Sequence, residues 1–462
     1  MRAGMNEFPA DLFVGRRYQV AGLGRNGLPA ARALRAMGAE ITVWDDQATS
    51  RDAARSEGFA LRDPNSTLTG FAALILSPGI PHRLPHPHPF AIAADIADVP
   101  ILSDAEILFQ AVRLSGSRAR FVGITGTNGK STTTSLIAHI LARAGIPAAA
   151  GGNLGPAALA LPFLPDDGIY VLEMSSYMLE RIVTTRFDAA VLLNLTPDHL
   201  DRHRDMAGYA LAKRNIFSRQ TAADLAVAGV DDDDTRAIAA MLADGPAKLI
   251  RISERARATA TSDFWPENGF LIGPGLRFDL ATAPALPGNH NAENIAAAIA
   301  VCDHLGVPRA DTLGGVQSFP GLPHRQRVVG RANGVVWIDD SKATNADAAA
   351  RALACYGRMI WIAGGIAKSG GIESLAPYFD QVKFALLIGA DAPMLAASLK
   401  QRGVAHRIVE TMENAVAAAS VLALSEAAPV VLLSPACASF DQYPNFEARG
   451  QHFAALALRR IG

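Results

Sequence analysis

Gly123-Ile124-Thr125-Gly126-Thr127-Asn128-Gly129-Lys130-Ser131-Thr132 decides how the rest of this 462-residue chain is read. It follows the apolar pair Phe121-Val122 and opens a run, Leu136, Ile137, Ile140 and Leu141, with the spacing of one helix face. A strand, a glycine-rich turn and a helix N-terminus in that order point backbone N–H groups at an anion, and the helix dipole adds to the attraction. Lys130 is expected to reach the terminal phosphates of a nucleotide, and the Ser131 hydroxyl to ligate a magnesium ion. The glycines fall at 123, 126 and 129, so the spacing departs from the usual G-x-x-x-x-G-K-[ST] loop. A glycine turn that binds nothing is the alternative. Gly-Lys-Ser-Thr at a strand-to-helix turn favours phosphate.

Outward from this loop, strand patterns alternate with helical ones, which predicts an α/β chain with mostly parallel sheets. Three domains are expected: a Rossmann-like N-terminal domain over 1–108, a central P-loop-type ATPase domain over 109–321, and a Rossmann-like C-terminal domain over 322–462. In the first, strands are expected over 18–21, 41–44 and 72–76, with an Ala/Leu-rich helix to about 37. The central domain begins near 119 and has strands over 170–173 and 189–193. Strands over 335–338, 359–362, 384–388 and 430–433 belong to the third.

Composition excludes several classes. Lys plus Arg (43) nearly balances Asp plus Glu (44), and the formal charge of −1 argues against nucleic-acid partners. Cys302, Cys355 and Cys437 are far apart and form no C-x-x-C spacing, so they read as small core residues in a reducing compartment. The first residues carry no signal-type apolar segment, and no apolar run nears the ~20 residues of a spanning helix. A cytoplasmic monomer with no membrane partner is expected.

Other motifs add chemistry. Gly22-Leu23-Gly24-Arg25-Asn26-Gly27 is a G-x-G-x-x-G turn, with Asp45 ending the next strand. Alone it suggests NAD. It reports only a pyrophosphate at a helix N-terminus and a sugar near a carboxylate, which a uridine-diphosphate sugar also satisfies. The separate triphosphate loop favours the sugar nucleotide, with a purely structural turn as a third option. Glu173 and His199 are expected to end apolar strands and face the phosphates, where they suit a second magnesium or manganese ion. An exposed Glu and a surface His are the alternative. Asp198 and Asp201 flank His199 and are expected to orient it.

Lys213, in Tyr209-Ala210-Leu211-Ala212-Lys213-Arg214, reads by itself as a solvated helix lysine. Asn291 and Asn294 share a helix face and either read an adenine edge or cap the helix. In the third domain, Asp339-Asp340-Ser341-Lys342-Ala343-Thr344-Asn345, Gly364-Gly365-Ile366-Ala367-Lys368 and Ser434-Pro435-Ala436-Cys437-Ala438-Ser439-Phe440 each follow a strand. Lysines and hydroxyls gathered at one sheet edge make a site for an anionic, carboxylate substrate. His324-Arg325 supplies a further cation for the γ-phosphate. The histidine-proline tract at 81–89 reads as a stiff surface loop, and Asp231-Asp232-Asp233-Asp234 as a solvated one.

These motifs together resemble the Mur ligase family over essentially the whole chain. The resemblance rests on Gly126-Thr127-Asn128-Gly129-Lys130-Ser131, whose shifted glycines it explains, Gly152-Asn153-Leu154-Gly155 and Glu173-Met174-Ser175-Ser176-Tyr177. Asn194-Leu195-Thr196-Pro197-Asp198-His199 and Leu322-Pro323-His324-Arg325 match as well. Asp340-Ser341-Lys342-Ala343-Thr344-Asn345 and Ser434-Pro435-Ala436-Cys437-Ala438-Ser439 are cues of the branch that adds D-glutamate; the Asp-Asn-Pro-Arg cue of the diamino-acid branch is missing. Relatives often carry an acidic residue after the Gly-Gly pair, where this chain has Ile366 but keeps Lys368.

The resemblance implies ATP-dependent addition of D-glutamate to UDP-N-acetylmuramoyl-L-alanine through an acyl phosphate, with two Mg²⁺ ions (or Mn²⁺). It implies that Gly126, Thr127, Asn128, Gly129, Lys130, Ser131 and Thr132 hold the ATP phosphates. Ser131 and Glu173 would bind the first metal, and His199 and a carbamylated Lys213 the second. Asn291 and Asn294 would approach adenine, Asp340 the ribose or the catalytic phosphates, and Arg325 the γ-phosphate. Arg25, Asn26, Asp45, Ser77, Pro78, Gly79, Asn153 and His199 would hold the UDP-sugar; Lys342, Thr344, Lys368, Ser439 and Phe446 would hold D-glutamate. Because water destroys an acyl phosphate, the third domain is expected to close on the central one. The rival readings are an NAD-dependent oxidoreductase using the first glycine turn, a non-catalytic nucleotide-binding regulator, and another Mur-type or folylpolyglutamate-type ligase.

Overall fold

The computed structural model describes residues 7–153, 155–255, 262–368 and 370–461. The first sheet holds β1 (Arg17–Ala21), β2 (Glu40–Trp44), β3 (Ala60–Leu61), β4 (Ala73–Leu76) and β5 (Ile101–Leu102). They run parallel in the order β3-β2-β1-β4-β5. The second holds β6 (Arg120–Thr125), β7 (Ala148–Gly152), β8 (Ile169–Glu173), β9 (Ala189–Leu192), β10 (Leu225–Gly229) and β11 (Lys248–Ile252). These are parallel in the order β11-β10-β9-β6-β8-β7. A small antiparallel sheet follows: β12 (Trp265–Glu267), β13 (Phe270–Gly273) and β14 (Leu276–Asp279). The last holds β15 (Arg327–Ala332), β16 (Val335–Asp339), β17 (Met359–Gly364), β18 (Val382–Ile388), β19 (His406–Glu410) and β20 (Val430–Leu433). Its order is β15-β16-β20-β17-β18-β19, parallel except for the edge strand β15.

Strands covered on both faces should be apolar throughout rather than alternating. They are: every residue of β4, β8, β9, β17 and β20 is buried. In the second sheet β6 lies between β8 and β9, and the chain crosses from one side of β6 to the other after β8. Such a reversal opens a crevice at the carboxyl ends of the strands, and the loop after β6 opens there.

The described residues fall into two compact units, with breaks between Thr282 and Ala283, His290 and Asn291, and Ser318 and Phe319. The first two sheets share one unit. Residue 108 lies inside helix Asp104–Leu114, whose Phe109 packs edge-on to Phe121 of β6 at 5.1 Å, and Phe121 in turn stacks on Tyr170 at 4.9 Å. On the same helix the buried Glu106 accepts from the backbone N–H groups of Val183, Thr184 and Thr185. Among the described residues no helix is long and apolar enough to cross a membrane.

Candidate active site

The loop after β6 is set by sterics before any ligand is considered. Gly129 stands at the helix N-terminus with φ +85°, and a Cβ there would sit 2.4 Å from Asn294 Oδ1. Only glycine satisfies both constraints. Helix Lys130–Arg143 follows, with Ser131 buried in its first turn. Asn194 clamps the loop from the β9 side: its backbone oxygen accepts from Thr127 N at 2.8 Å and its Oδ1 from Asn128 N at 2.9 Å. Glu293 orients that amide, accepting from Asn194 Nδ2 at 3.0 Å. The local sequence gives neither Asn194 nor Glu293 a role in the site, because their roles show only once two distant segments are adjacent.

Two lysines converge on one carbonyl. Lys130 Nζ donates to Gly126 O at 2.7 Å and Thr127 O at 2.8 Å; Lys213 Nζ donates to the same Gly126 O at 2.9 Å and to Thr125 Oγ1 at 3.2 Å. Lys213 is only 2 % exposed, so the solvated helix lysine read from the local sequence is overturned. Helix Met206–Arg214 turns Tyr209 and Lys213, four residues apart, toward the loop. Burial holds the Lys213 ammonium well below its usual range, and the neighbouring Lys130 charge adds to this.

Glu173 ends β8 beside β6 and is buried. Its Oε1 accepts from Asn153 Nδ2 at 2.7 Å, while its Oε2 is buried with no hydrogen-bond partner among the described residues. A buried carboxylate oxygen left open is costly in the absence of a cation.

The placement of His199 differs from expectation. β9 ends at Leu192, and His199 comes later, at φ +55° ahead of helix Leu200–His203. Its ring lies 5.0 Å from that of Tyr177 and 6.4 Å from that of Tyr209, and its Nε2 is 3.3 Å from Asp198 Oδ2. Of the two flanking carboxylates, Asp198 makes this contact. Burial lowers the His199 pKa, and although Asp198 opposes this, Lys213 and Lys130 lower it further. Among the described residues no three His, Cys, Asp or Glu side chains cluster as a preformed metal cage. Magnesium is commonly held by one or two carboxylates plus substrate phosphates, so the open Glu173 oxygen beside the phosphate loop fits it.

Asn291 and Asn294 do share a face of helix Asn289–His304, and both are buried. Asn294 Nδ2 donates to Asn291 Oδ1 at 2.9 Å, and Asn294 Oδ1 accepts from Thr133 of the phosphate-loop helix at 3.1 Å.

In the first sheet the turns after β1 and β4 meet, with Ser77 Oγ donating to Gly22 O at 2.7 Å. Asp45 is engaged by the backbone: Oδ2 accepts from Leu23 N at 2.6 Å and Oδ1 from Gln47 N at 2.8 Å. Asn26 Nδ2 reaches Asp104 at 3.3 Å and Gly152 O at 3.4 Å, which brings it beside Asn153. Arg25 and Gly79 are exposed and Pro78 is half-buried. Arg181, buried and unanticipated, donates to Leu76 O and Ile80 O at 2.7 Å, and Arg202 to Gly79 O at 3.0 Å.

In the second unit the order β16-β20-β17 sends the three expected loops off one edge. An antiparallel bridge joins Ile366 to Ala438. Lys342 Nζ lies 3.9 Å over the Phe446 ring; Ser439 is buried, Thr344 half-buried, and Lys368 and Ile366 exposed. His324 Nδ1 is 2.6 Å from Asp339 Oδ2, which fixes the turn that carries Arg325.

Arg449, 1 % exposed on helix Phe446–Ile461, ties these loops together. Its Nε donates to Ser341 Oγ at 3.0 Å, its Nη2 to Ser341 O at 2.9 Å, and its Nη1 to Cys437 O at 3.1 Å and Gly364 O at 3.4 Å. An arginine in an amphipathic helix ordinarily reads as a surface residue, so nothing local marks this one as buried. Arg449→Ala is expected to cost about 2–3 kcal/mol of this unit's stability, the scale for leaving buried carbonyl acceptors without their donor. Denaturant unfolding checks this, and a loss below ~1 kcal/mol would contradict it.

Asp340 is buried and accepts from Ser434 Oγ at 2.7 Å. Burial pushes its carboxyl up to about 7, against the opposing pull of Ser434 and Arg325. Folded, it holds a proton that the unfolded chain releases near ~3.9, so its stabilising contribution is full below that pH and is lost as pH rises through about 7. Asp340→Asn mimics the protonated form. It should raise Tm over the parent at roughly pH 8 and leave it nearly unchanged at roughly pH 4. Equal shifts at both pH values would contradict the assignment.

Residues 124–302 match the Mur ligase middle domain, and residues 324–437 the Mur ligase glutamate ligase domain. A UDP-N-acetylmuramoylalanine--D-glutamate ligase of Paramagnetospirillum magneticum is 47% identical over 449 residues, covering 96% of this chain and 97% of its own. The enzyme of the same name from Rhodospirillum rubrum is 45% identical, covering 97% and 95%. Among solved structures, the UDP-N-acetylmuramate-alanine ligase MurC of Thermotoga maritima is similar with a TM-score of 0.58 at 18% identity, covering 96% of this chain and 99% of its own, a likeness of fold alone. With near-full-length relatives at this identity and two matching domains, the chain belongs to the Mur ligase family.

Proposed function

We propose that this chain is an ATP-dependent ligase that joins D-glutamate to UDP-N-acetylmuramoyl-L-alanine in peptidoglycan precursor synthesis, releasing ADP and phosphate. The observation that carries the reading is its 47% identity, over 96% of its length, to a relative named for that reaction. Residues 1–108, 109–321 and 322–462 are assigned to the UDP-sugar, ATP and amino acid respectively. ATP and UDP-sugars are cytoplasmic metabolites, so the enzyme acts in the cytoplasm.

The chemistry follows from charge. The substrate carboxylate attacks the γ-phosphate of ATP to give an acyl phosphate and ADP; the D-glutamate amine then attacks the acyl carbon, and phosphate leaves. Two anions must meet, and cationic groups have to offset their repulsion. Gly126, Thr127, Asn128, Gly129 and Thr132 present the loop's backbone to the ATP phosphates, with Lys130 as the fixed cation and Ser131 in the first helical turn. Ser131 and Glu173 would hold one Mg²⁺, and His199 with Lys213 a second. Bound there, the metals supply charge neutralisation between carboxylate and phosphate.

Lys213 fits this role only after modification. Its burial favours the neutral amine, whose nitrogen attacks the CO₂ carbon and loses a proton to solvent, and the resulting carbamate exchanges a cation for a carboxylate-like ligand. Asn26, Asn153 and the turns at Arg25, Asp45, Ser77, Pro78 and Gly79 hold the UDP-sugar. Lys342 and Lys368 meet the two D-glutamate carboxylates, with Thr344, Ser439 and Phe446 shaping the site and Asp340 and Arg325 serving the nucleotide.

Phosphate release with ATP and UDP-N-acetylmuramoyl-L-alanine, compared across D-glutamate, L-glutamate and diaminopimelate, tests the reading. Release with D-glutamate alone is expected. Release with diaminopimelate instead, or with none of the three, overturns it.

A further inference from the structure

Helix Met206–Arg214 has a second face that this reading leaves without a role. Gly208 and Leu211 lie roughly half a turn around the helix from Lys213, and with Arg214 they line a cavity of about 440 Å³. Further walls come from the segment 82–84, from Glu180, from Arg202 to Arg204 and from Asn215 and Ser218. That volume lies within the range of ~300–1,000 Å³ typical of small-molecule sites and is far too small for a macromolecule.

The lining is strongly cationic. Arg83, Arg202, Arg204 and Arg214 all contribute, against a single carboxylate, Glu180, whose Oε1 is already 3.3 Å from His203 Nδ1. Among the described residues none of the four arginines makes an ion pair with a carboxylate. His82 Nδ1 lies 3.3 Å from Arg181 Nη2. Arginine can only donate, so Nδ1 accepts and the ring's proton sits on Nε2. The His82 imidazole is pushed down to about 4 by burial first and by Arg181 next, with Arg83 and Arg202 contributing, as expected in a positive field. Arg204 itself is held at φ +74°, a conformation that costs a non-glycine residue energy and persists only where its surroundings enforce it.

Guanidinium forks match phosphate oxygens in pairs, and several around one concavity favour a dianion. We propose that this cavity is a second, non-catalytic anion site that takes a phosphoryl dianion, either free phosphate or the terminal phosphate of a nucleotide. Its walls include the segment that follows Gly79 and the stretch between His199 and Lys213. A ligand there would restrain both.

The binding test does not depend on the ligase reading. The full chain is titrated calorimetrically with inorganic phosphate and, separately, with ADP, and the same titrations of the cavity-blocked variant below, whose phosphate loop is untouched, are subtracted. Parent protein is expected to show one saturable site for at least one of the two, weakening as salt is raised; which of them binds identifies the source of the dianion. Arg83→Glu with Arg204→Glu should weaken binding at least about tenfold. Leu211→Trp, at a 57 % exposed position, should block the cavity without changing its charge. Turnover without added phosphate should be unchanged in the Arg83→Glu variant. Hydrogen exchange should slow at 82–84 and 202–214 on binding in the parent only. Equal affinities in parent and both variants, or no saturable binding below ~10 mM, overturn the proposal.

Discussion

Lys130→Ala is expected to lower turnover by about 10²–10³-fold, the scale of removing one preorganised partner of transition-state charge. Lys130 Nζ donates to the Gly126 and Thr127 carbonyls, so the loop's own backbone holds the ammonium in place. That preorganisation is what the substitution removes, because an exogenous cation would have to be positioned anew in every turnover. The ATP KM should change less than kcat, since the loop's backbone N–H groups and the helix N-terminus remain. The loop is held independently by Asn194, which accepts from Thr127 N and Asn128 N, so the variant should stay folded and melt close to the parent. Steady-state phosphate release and a thermal melt on the same sample separate these effects. Near-normal kcat would mean that the fixed cation does not act in phosphoryl transfer.

Which parts of this site were legible in the sequence follows from how far each feature reaches. The phosphate loop, Glu173 and the three loops of the last sheet are marked locally, since each stands at the end of an apolar run whose burial the run itself announces. Parallel pairing then places β16, β20 and β17 side by side, and their loops follow. Asn194, Glu293, Arg181 and Arg449 were missed for the opposite reason. Each acts on groups of segments remote in sequence, backbone groups for Asn194, Arg181 and Arg449 and the Asn194 amide for Glu293, and a polar residue in a helix or loop carries no mark of that partner. Lys213 shows the same limit from another side. Its local stretch reads as a wet helix, and only the packing of that helix against the phosphate loop makes it dry. His199 fell outside the strand-end rule because its backbone takes a left-handed conformation that apolar periodicity does not signal. The small sheet β12–β14 was not anticipated either: its strands are too short to show a period.

Lys213→Ala should be the second variant with a large loss, at least on the order of 10² in turnover if the residue supplies a metal ligand. The physical case begins with the cost of the lysine as it stands. An ammonium sealed from water beside Lys130, with a carbonyl and a hydroxyl as its hydrogen-bond partners, is disfavoured by both burial and like charge. Removing the unmodified ammonium therefore should cost the fold little, and the alanine variant is expected to melt close to a parent stripped of CO₂. Addition of CO₂ to the neutral amine would reverse the sign of the group and turn repulsion from Lys130 into attraction. The truncation leaves a space at the end of helix Met206–Arg214 into which a small carboxylate can enter, so added acetate should restore part of the activity. Lys213→Met separates charge from space: it fills the volume, offers no amine and should be inactive with or without acetate. Parent protein should carry one additional CO₂ mass under gentle ionisation, and both variants should lack it. An alanine variant that works at full rate without acetate would remove Lys213 from the metal site and leave its burial as packing alone.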